Sequence, residues 1–260
     1  MKYCFVFGCP RSGTTAVARL LQAHPRIVIG MERYKFLLSR RRDRAAFGPD
    51  LFQPERFFDF RAGDTNVNPD LGHFRGHYIK AKRRFEKGPV EYIGDKVMPD
   101  DPIIRVIEAR FPSPKFIFIY RDLLHVANSF VVRARDPDDR NWPTTRDHKA
   151  AVKRWRMAFS TADTLIGRIG LESVCVLRYE DLLGGDMRTC ELMFRFLGLR
   201  VSSNVRRTYE ARTADWDQRQ LTPLALSPTE MEFVSRRLDR DVVNRFDLRF
   251  EEQLDRARGA

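Results

Sequence analysis

The feature that most constrains this chain is the stretch GCPRSGTT at residues 8–15. It follows a short apolar run at residues 3–7 and precedes an amphipathic stretch at residues 14–23. A strand, a glycine-containing turn and a helix start direct backbone N–H groups and the positive end of the helix at one point, which favours an anion. The stretch therefore predicts a phosphate-binding loop between the first strand and the first helix.

This loop differs from that of the nucleoside triphosphatases at one decisive place. Its glycines and its final hydroxyl residue fit the pattern G-x-x-x-x-G-K-[ST], but Thr14 stands where the phosphate-binding lysine is required. Hydroxyl groups at Ser12, Thr14 and Thr15 and the cation of Arg11 remain as ligands for a single phosphate. Without the lysine, and without an evident acidic strand end to hold magnesium, ATP hydrolysis lacks its main electrostatic groups.

Strand-like apolar runs alternate with helical patterns along the chain, which predicts parallel βαβ units. Strands are expected at residues 3–7, 92–94, 115–120 and 173–177, and helices at 14–23, 123–133, 147–169 and 186–197. The prediction is therefore an α/β fold in one domain spanning residues 1–260, with a central, mostly parallel sheet flanked by helices.

Two segments interrupt this alternation. Residues 44–76 and 133–146 carry proline and aspartate and lack sustained periodicity. Long irregular segments in a compact domain are often lids or binding loops. We therefore expect residues 44–76 to form an insert beside the site, whereas residues 199–260 show the least clear pattern.

A strongly basic balance accompanies these motifs. The formal net charge is +12 and the pI is near 9.9, mostly through arginine, whose guanidinium group suits phosphate and sulfate. The charge alone also fits a basic polyanion-binding protein without catalysis, although no nucleic-acid-binding module is recognisable. No apolar run reaches the ~20 residues of a membrane span, and the cysteines are scattered. These features predict a cytoplasmic protein with reduced thiols and no specific nucleic-acid partner.

A second anion site is predicted after the apolar run at residues 115–120. Arg121 follows that run directly, and Ser129 lies eight residues later, inside the expected helix. Ligands of open α/β sheets bind at the carboxyl ends of the strands, so these two donors are expected to converge on one anion. Two such sites suit a nucleotide with phosphate groups at both its 3′ and its 5′ position.

In this combination and order, the motifs resemble those of the sulfotransferases that use 3′-phosphoadenosine 5′-phosphosulfate (PAPS), closest to the tyrosylprotein, carbohydrate and bacterial types. The resemblance runs from Met1 to about Gly198 and implies a fold like that of the P-loop triphosphatases. It implies that PAPS is bound by the loop, by the strand-end arginine and helical serine, and by the tyrosine of a Tyr-Glu segment: Arg11, Ser12, Gly13, Thr14, Thr15, Arg121, Ser129 and Tyr179.

The same resemblance implies the catalytic groups. Glu32 matches the general base of tyrosylprotein sulfotransferases, Lys96 matches the lysine that contacts the transferring group, and Arg11 shares the charge of the leaving group. Cytosolic relatives use a histidine base, so His73 and His77 are the alternatives. No metal is expected.

One departure from the family concerns the 3′-phosphate. Relatives contact it with a lysine near the C-terminus, but no lysine follows Lys153 in this chain. An arginine is expected to replace it, and the sequence offers Arg206, Arg212 and Arg219 without choosing among them.

The expected function is transfer of a sulfuryl group from PAPS to a hydroxyl or amine acceptor, by in-line displacement with a general base. Carbohydrates, lipid-linked sugars, small alcohols and peptide tyrosine all remain open as acceptors. Residues 33–35 and the insert are predicted either to line an acceptor channel or to form a charged, solvated surface. A P-loop nucleotide kinase or triphosphatase and a non-catalytic polyanion-binding protein are the competing interpretations.

Overall fold

In the computed structural model of this chain, the described residues are 1–70, 72–139, 142–214, 216 and 223–258, without the side chains of residues 72 and 73. They contain a five-stranded, fully parallel sheet in the order β2-β3-β1-β4-β5. The predicted α/β fold with a parallel sheet flanked by helices is confirmed. The strands are β1 (Lys2–Phe7), β2 (Ile27–Met31), β3 (Tyr92–Lys96), β4 (Lys115–Tyr120) and β5 (Val174–Arg178).

Helices connect and flank these strands. No helix in the described part of the chain is long and apolar enough to cross a membrane. The helices are α1 (Thr14–Ala23), α2 (Lys35–Ser39), α3 (Pro54–Phe57), α4 (Gly72–Lys87), α5 (Asp101–Arg110), α6 (Leu123–Ala134), α7 (His148–Ile169), α8 (Tyr179–Leu183), α9 (Met187–Phe196), α10 (Ser203–Thr213), α11 (Pro228–Ser235) and α12 (Arg240–Arg258).

The irregular insert belongs to the core of the protein. Phe47, Phe52 and Phe57 are fully buried. Phe52 meets Phe5 of β1 edge to face, with ring centroids 5.7 Å apart. Buried aromatic pairs of this kind stabilise beyond the area they remove from water. The insert is therefore packed against the sheet, and the predicted limit at residue 76 is wrong, because α4 already begins at Gly72.

Side chains cover the outer edge of β2. The hydroxyl of Tyr78, on α4, accepts a hydrogen bond from the backbone N–H of Met31 at 3.0 Å. Arg84, one to two turns further along α4, donates to the carbonyl oxygen of Ile27 at 3.0 Å. The backbone groups that face away from β3 thus find partners inside the chain.

The opposite edge of the sheet is covered in the same way. Gln253 of α12 accepts a hydrogen bond from the N–H of Val176 at 2.9 Å and donates to the carbonyl oxygen of Val174 at 2.8 Å. Its side-chain amide mimics the donor and acceptor of a neighbouring strand. Unpaired strand edges invite pairing with other chains, and such coverage is a common protection.

Candidate active site

The loop between β1 and α1 has the geometry of an anion site. The N–H of Ser12 donates to the carbonyl oxygen of Cys9 at 3.0 Å, which closes a turn. Gly13 has a φ of 94°, in the left-handed region that favours glycine. The internal hydrogen bonds of α1 begin with the N–H of Ala16, which donates to the carbonyl oxygen of Gly13 at 2.8 Å. The N–H groups that precede Ala16 at the helix start have no partner inside the helix, an arrangement that favours an anion. Phosphate binding by this loop stays a prediction.

The structure brings the second predicted anchor to this loop. Nε of Arg11 donates to the hydroxyl of Ser129 at 2.8 Å, although the two residues are 118 positions apart. Nη1 of Arg121 donates to the carbonyl oxygen of Arg11 at 3.3 Å. Two cations and a hydroxyl from separate segments therefore meet above the carboxyl ends of β1 and β4.

Aromatic side chains hold Arg121 in this position. Its guanidinium carbon lies 4.2 Å from the ring centroid of Tyr179, the first residue of α8. Trp155 of α7 donates from its indole nitrogen to the carbonyl oxygen of Arg121 at 2.9 Å. Nε of Arg121 is buried and has no hydrogen-bond partner among the described residues. This donor is available to an anionic ligand.

Positive charge is concentrated around Arg11. Partial burial, together with the charges of Arg133 and Arg121, lowers the pKa of Arg11. Arg133 was not predicted, although it follows Ser129 by four residues on α6 and so shares its helix face. Arg133 is ion-paired with Asp139 at 2.5 Å, and the neighbouring charges of Arg11 and Arg121 favour a ligand that carries negative charge. Arg219, one of the three arginines that the sequence offers as a ligand of the 3′-phosphate, lies outside the described residues.

Two of the three predicted catalytic side chains, Glu32 and Lys96, meet at the carboxyl ends of β2 and β3. Nζ of Lys96 lies 2.5 Å from Oε1 of Glu32, and Nζ of Lys35 lies 2.9 Å from Oε2. Burial by itself would raise the pKa of Glu32, but the charges of Lys96 and then Lys35 outweigh it and lower the pKa to about 2. In this arrangement Glu32 is an ion-paired carboxylate and a weak base.

Of the two histidines predicted as alternative bases, His73 and His77, the structure describes the side chain of His77. Nε2 of His77 lies 2.6 Å from the carbonyl oxygen of Ile29, at the outer edge of β2. A carbonyl oxygen only accepts, so this ring nitrogen donates to it and helps to cover the strand. The side chain of His73 is outside the described part of the chain, so its role stays a prediction.

Side chains that follow Glu32 anchor the insert to the end of β2. Arg33 and Tyr34 are fully buried. Nη1 of Arg33 donates to Oδ2 of Asp64 at 2.9 Å, and Arg56 donates to both carboxylate oxygens of Asp64 at 2.8 and 2.6 Å. The prediction that Arg33 and Tyr34 line an acceptor channel is wrong, because they are packed inside the protein.

A cavity of 610 Å³ opens beside Arg121, at the carboxyl ends of β4 and β5. Trp155 and Trp216 contribute ring surfaces to it, and Arg178 and Glu180 contribute charge. Apolar ring faces combined with a few polar groups are typical of small-molecule sites. Among the described residues, no cluster of three or more histidine, cysteine, aspartate or glutamate side chains could hold a metal ion.

Comparison with known proteins identifies one family. The family model described as "Sulfotransferase family" matches residues 4–203. The sulfotransferase domain from the curacin biosynthetic pathway is 16% identical, over 90% of this chain and 96% of that domain, with a TM-score of 0.55. No curated protein matches the chain in sequence.

Two further solved structures share the fold. The sulfotransferase domain of the olefin synthase of Synechococcus PCC 7002 is 18% identical, over 91% of this chain and 94% of that domain, with a TM-score of 0.55. A sulfotransferase from Mycobacterium tuberculosis is 15% identical, over 91% of this chain and 76% of that protein, with a TM-score of 0.52.

Proposed function

Because the chain belongs to the sulfotransferase family, we propose that it transfers a sulfuryl group from PAPS to a hydroxyl or amine group of an acceptor. The observation that carries the proposal is the convergence of Arg11, Ser129 and Arg121 beside the loop at residues 8–15. The loop offers backbone N–H groups and hydroxyls to one phosphate with an attached sulfate, and the neighbouring cations supply a second anion site. A donor with phosphate groups at both its 5′ and its 3′ position requires these two sites together.

The nucleoside of the donor is assigned to the cavity beside Arg121. Trp216 offers a ring face against which a purine can pack, and Glu180 offers a carboxyl group. Burial raises the pKa of Glu180, and its carboxyl oxygens can accept hydrogen bonds from a bound nucleoside. This placement follows from the position of Arg121 at the mouth of the cavity.

The donor supplies an activated sulfuryl group. In an in-line displacement, the acceptor atom forms a bond to sulfur while the bond from sulfur to the phosphate oxygen breaks and the acceptor loses a proton. Arg11, Lys96 and the N–H groups at the start of α1 bear the negative charge that develops on the phosphate. Glu32 takes the proton of the acceptor.

Glu32 becomes a better base when its ion pairs are weakened. Lys96 is the closest of its positive partners, with Nζ 2.5 Å from the carboxylate. An anionic group bound at the loop competes for Lys96, and burial then raises the pKa of Glu32 because desolvation disfavours its charged form. The same lysine thus keeps the base ionised at rest and moves to the leaving group during the reaction.

Carbohydrates, lipid-linked sugars and other small molecules are the acceptor classes that we propose to screen. The Glu32–Lys96 pair lies at the end of β2 and β3, on the side of the sheet that the insert covers. The donor site lies toward β4 and β5. An acceptor is therefore expected to approach Glu32 from the side of α2 and the insert, opposite the nucleoside.

Calorimetry with adenosine 3′,5′-bisphosphate, the desulfated product, tests the donor site. We expect micromolar binding by the wild-type chain and its loss in Arg121→Ala. Arg110→Ala, at an exposed position at the end of α5, is the matched control and should bind normally. A folded wild-type chain that fails to bind the bisphosphate, or binds magnesium-ATP more tightly, contradicts the proposal.

Radiolabelled sulfate in PAPS then tests the transfer itself. The chain is incubated with fractionated cell extracts and with panels of sugars, alcohols and phenols, and labelled products are separated. Appearance of a labelled acceptor that depends on Glu32 is the expected result. If the chain binds the bisphosphate but transfers sulfate to no acceptor, it acts as a binding protein, and the catalytic part of the proposal is refuted.

A further inference from the structure

Asp95 carries a buried carboxyl group to which the proposed function gives no role, either in the loop at residues 8–15 or in the Glu32–Lys96 pair. It precedes Lys96 in β3 and is completely inaccessible to solvent. Oδ2 lies 3.4 Å from the backbone nitrogen of Tyr34, and the N–H of Arg33 also favours its charged form. Oδ1 is buried without a hydrogen-bond partner in the described part of the chain. A buried polar atom of this kind is costly, so its presence calls for an explanation.

The neighbouring strand leaves room for this carboxyl group. Gly30 pairs with Asp95 between β2 and β3. A β-carbon at Gly30 would lie 2.7 Å from Oδ1 of Asp95 and 2.9 Å from Cβ of Arg33. Contacts below 3.0 Å force a shift, so any larger residue at position 30 would displace Asp95 or the turn that follows.

The turn that Asp95 holds is the one that presents Glu32. Glu32 has a φ of 56°, a conformation that non-glycine residues rarely adopt. Tyr34 follows it with its N–H directed at Asp95, and the hydroxyl of Thr65 donates to the carbonyl oxygen of Glu32 at 2.8 Å. The rare conformation of Glu32 is thus fixed from two sides, by β3 and by the insert.

Asp95 and Glu32 also border the same small space. A void of 10 Å³ is lined by both residues together with Lys35 and Lys96. A space of that size holds about one water molecule at most. Asp95 itself is removed from solvent, so its charge and that of Glu32 affect each other with little screening.

We propose that Asp95 is a positioning residue for the transfer reaction, which holds the turn that carries Glu32 and sets, through its own charge, how strongly Glu32 attracts the proton of the acceptor. The inference rests on the proposed function, because the role of Asp95 is exerted through Glu32. It adds a second carboxyl group to the base side of the site.

The charges around Asp95 determine the direction of the effect. Burial, and to a lesser extent the negative charge of Glu32, raise its pKa to about 7, against the opposing effects of the N–H groups of Arg33 and Tyr34 and the charge of Lys96. Tyr34 and Tyr78 are further titratable groups that interact with Asp95. Asp95 therefore gains its charge near neutrality, and this charge offsets the attraction of the lysines for Glu32. The basicity of Glu32 should rise with pH across that range.

Carboxyl carbon NMR titrations of the full chain test the coupling without an acceptor or a donor. In the wild type we expect Asp95 to titrate near neutrality and the Glu32 signal to shift over the same range. In Asp95→Asn the neutral-range shift of Glu32 should vanish, and in Glu32→Gln the midpoint of Asp95 should fall. Asp255→Asn, at an exposed position of α12, is the control.

Two outcomes of the titration refute the inference. One is an Asp95 midpoint in the ordinary range of aspartate, and the other is a Glu32 signal that ignores the ionisation of Asp95. Both can be read from the wild type, and Glu32→Gln supplies a further check, so the test remains decisive if Asp95→Asn does not fold.

Rates of sulfate transfer to the acceptor found by screening provide the second readout. We expect the wild-type kcat to rise between about pH 6 and about pH 8, and Asp95→Asn to lose this rise, with a deficit of about tenfold at the upper end, as one pKa unit at the base predicts. Equal pH profiles with a uniformly lower rate would show a purely structural Asp95 and refute the inference. If the wild type transfers no sulfate, the proposed function is refuted. The NMR titration still tests the coupling between Asp95 and Glu32 independently.

Discussion

The ring of Tyr179 lies so close to Gly13 that a β-carbon at position 13 would be 2.5 Å from Cδ2 of that ring. The contact joins the end of β5 to the loop after β1. Because Tyr179 also stacks on Arg121, one ring supports both predicted phosphate sites. Position 13 therefore requires glycine for two reasons. Its φ lies in the left-handed region, and the ring of Tyr179 leaves no space for a side chain.

Gly13→Ala should damage both stability and donor binding. The methyl group must enter the space of Tyr179 while the backbone keeps a φ of 94°. We expect the free energy of unfolding to fall by about 2 kcal/mol or more, measured by urea titration. Gly167→Ala, on an exposed face of α7 with nothing near its β-carbon, should instead be stabilising by about 0.5 to 1 kcal/mol. Similar losses in both variants would argue against the special role of Gly13.

Ser129→Ala should weaken the second anion site specifically. The substitution removes a predicted ligand of the 3′-phosphate and the hydrogen bond that holds Arg11. We expect the Kd for adenosine 3′,5′-bisphosphate to rise about tenfold, as for loss of one hydrogen bond to a charged group. Binding of adenosine 5′-monophosphate, which lacks the 3′-phosphate, should change much less. An equal loss for both nucleotides would place Ser129 at the 5′ side instead.

Glu32→Gln should separate catalysis from donor binding. Glutamine keeps the shape of the side chain but cannot accept the proton, so transfer should fall by a factor of about 100 or more. The Kd for the bisphosphate, measured by calorimetry, should be no higher than that of the wild type, because Lys96 is released from its ion pair with Glu32. Transfer at the wild-type rate would exclude Glu32 as the base and return attention to the histidines.

The ion pairs of Glu32 should stabilise the folded chain less as the pH becomes acidic. Its pKa is about 2 in the folded chain, below the ordinary value of 4.5. A carboxyl group with a lowered pKa stabilises the folded state above its unfolded pKa, and this contribution is lost as pH falls toward the folded value. We expect the Tm difference between wild type and Glu32→Gln to shrink between about pH 4.5 and about pH 2. A constant difference over this range would contradict the ion pairs.

Asp64→Asn should loosen the insert from the sheet. Asp64 neutralises the fully buried Arg33 and also binds Arg56. Breaking one side of a buried ion pair leaves an uncompensated charge and costs about 3 to 5 kcal/mol. Limited proteolysis should then cut near residues 54–65 in the variant before the rest of the chain. Asp59→Asn, whose carboxylate pairs with the exposed Arg61, should change stability by about 1 kcal/mol at most.

The donor side of the site could be predicted because its residues follow strands in the sequence. Carboxyl ends of parallel strands meet at one edge of a sheet, so the loop and Arg121 were expected to converge. Tyr179 was expected there only from the family resemblance. The strand β2 was not predicted, and β3 was predicted only to residue 94. Its last two residues, Asp95 and Lys96, are a charged pair that no apolar pattern includes.

The acceptor side could not be predicted in the same way. Arg33 finds its partner Asp64 31 residues later, in a segment without periodicity. Burial of Asp95 depends on Gly30, which lies on a strand that is its neighbour only in the folded sheet. Such contacts are created by tertiary packing, and local patterns carry no signal for them.

Both edges of the sheet are closed by side chains, and this restricts how a polypeptide could be recognised. A peptide substrate cannot lengthen the sheet as an added strand, because Tyr78 and Arg84 on one side and Gln253 on the other already occupy the outward backbone groups. In the part of the chain that the structure describes, the covered edges of β2 and β5 disfavour self-assembly through strand pairing for the same reason.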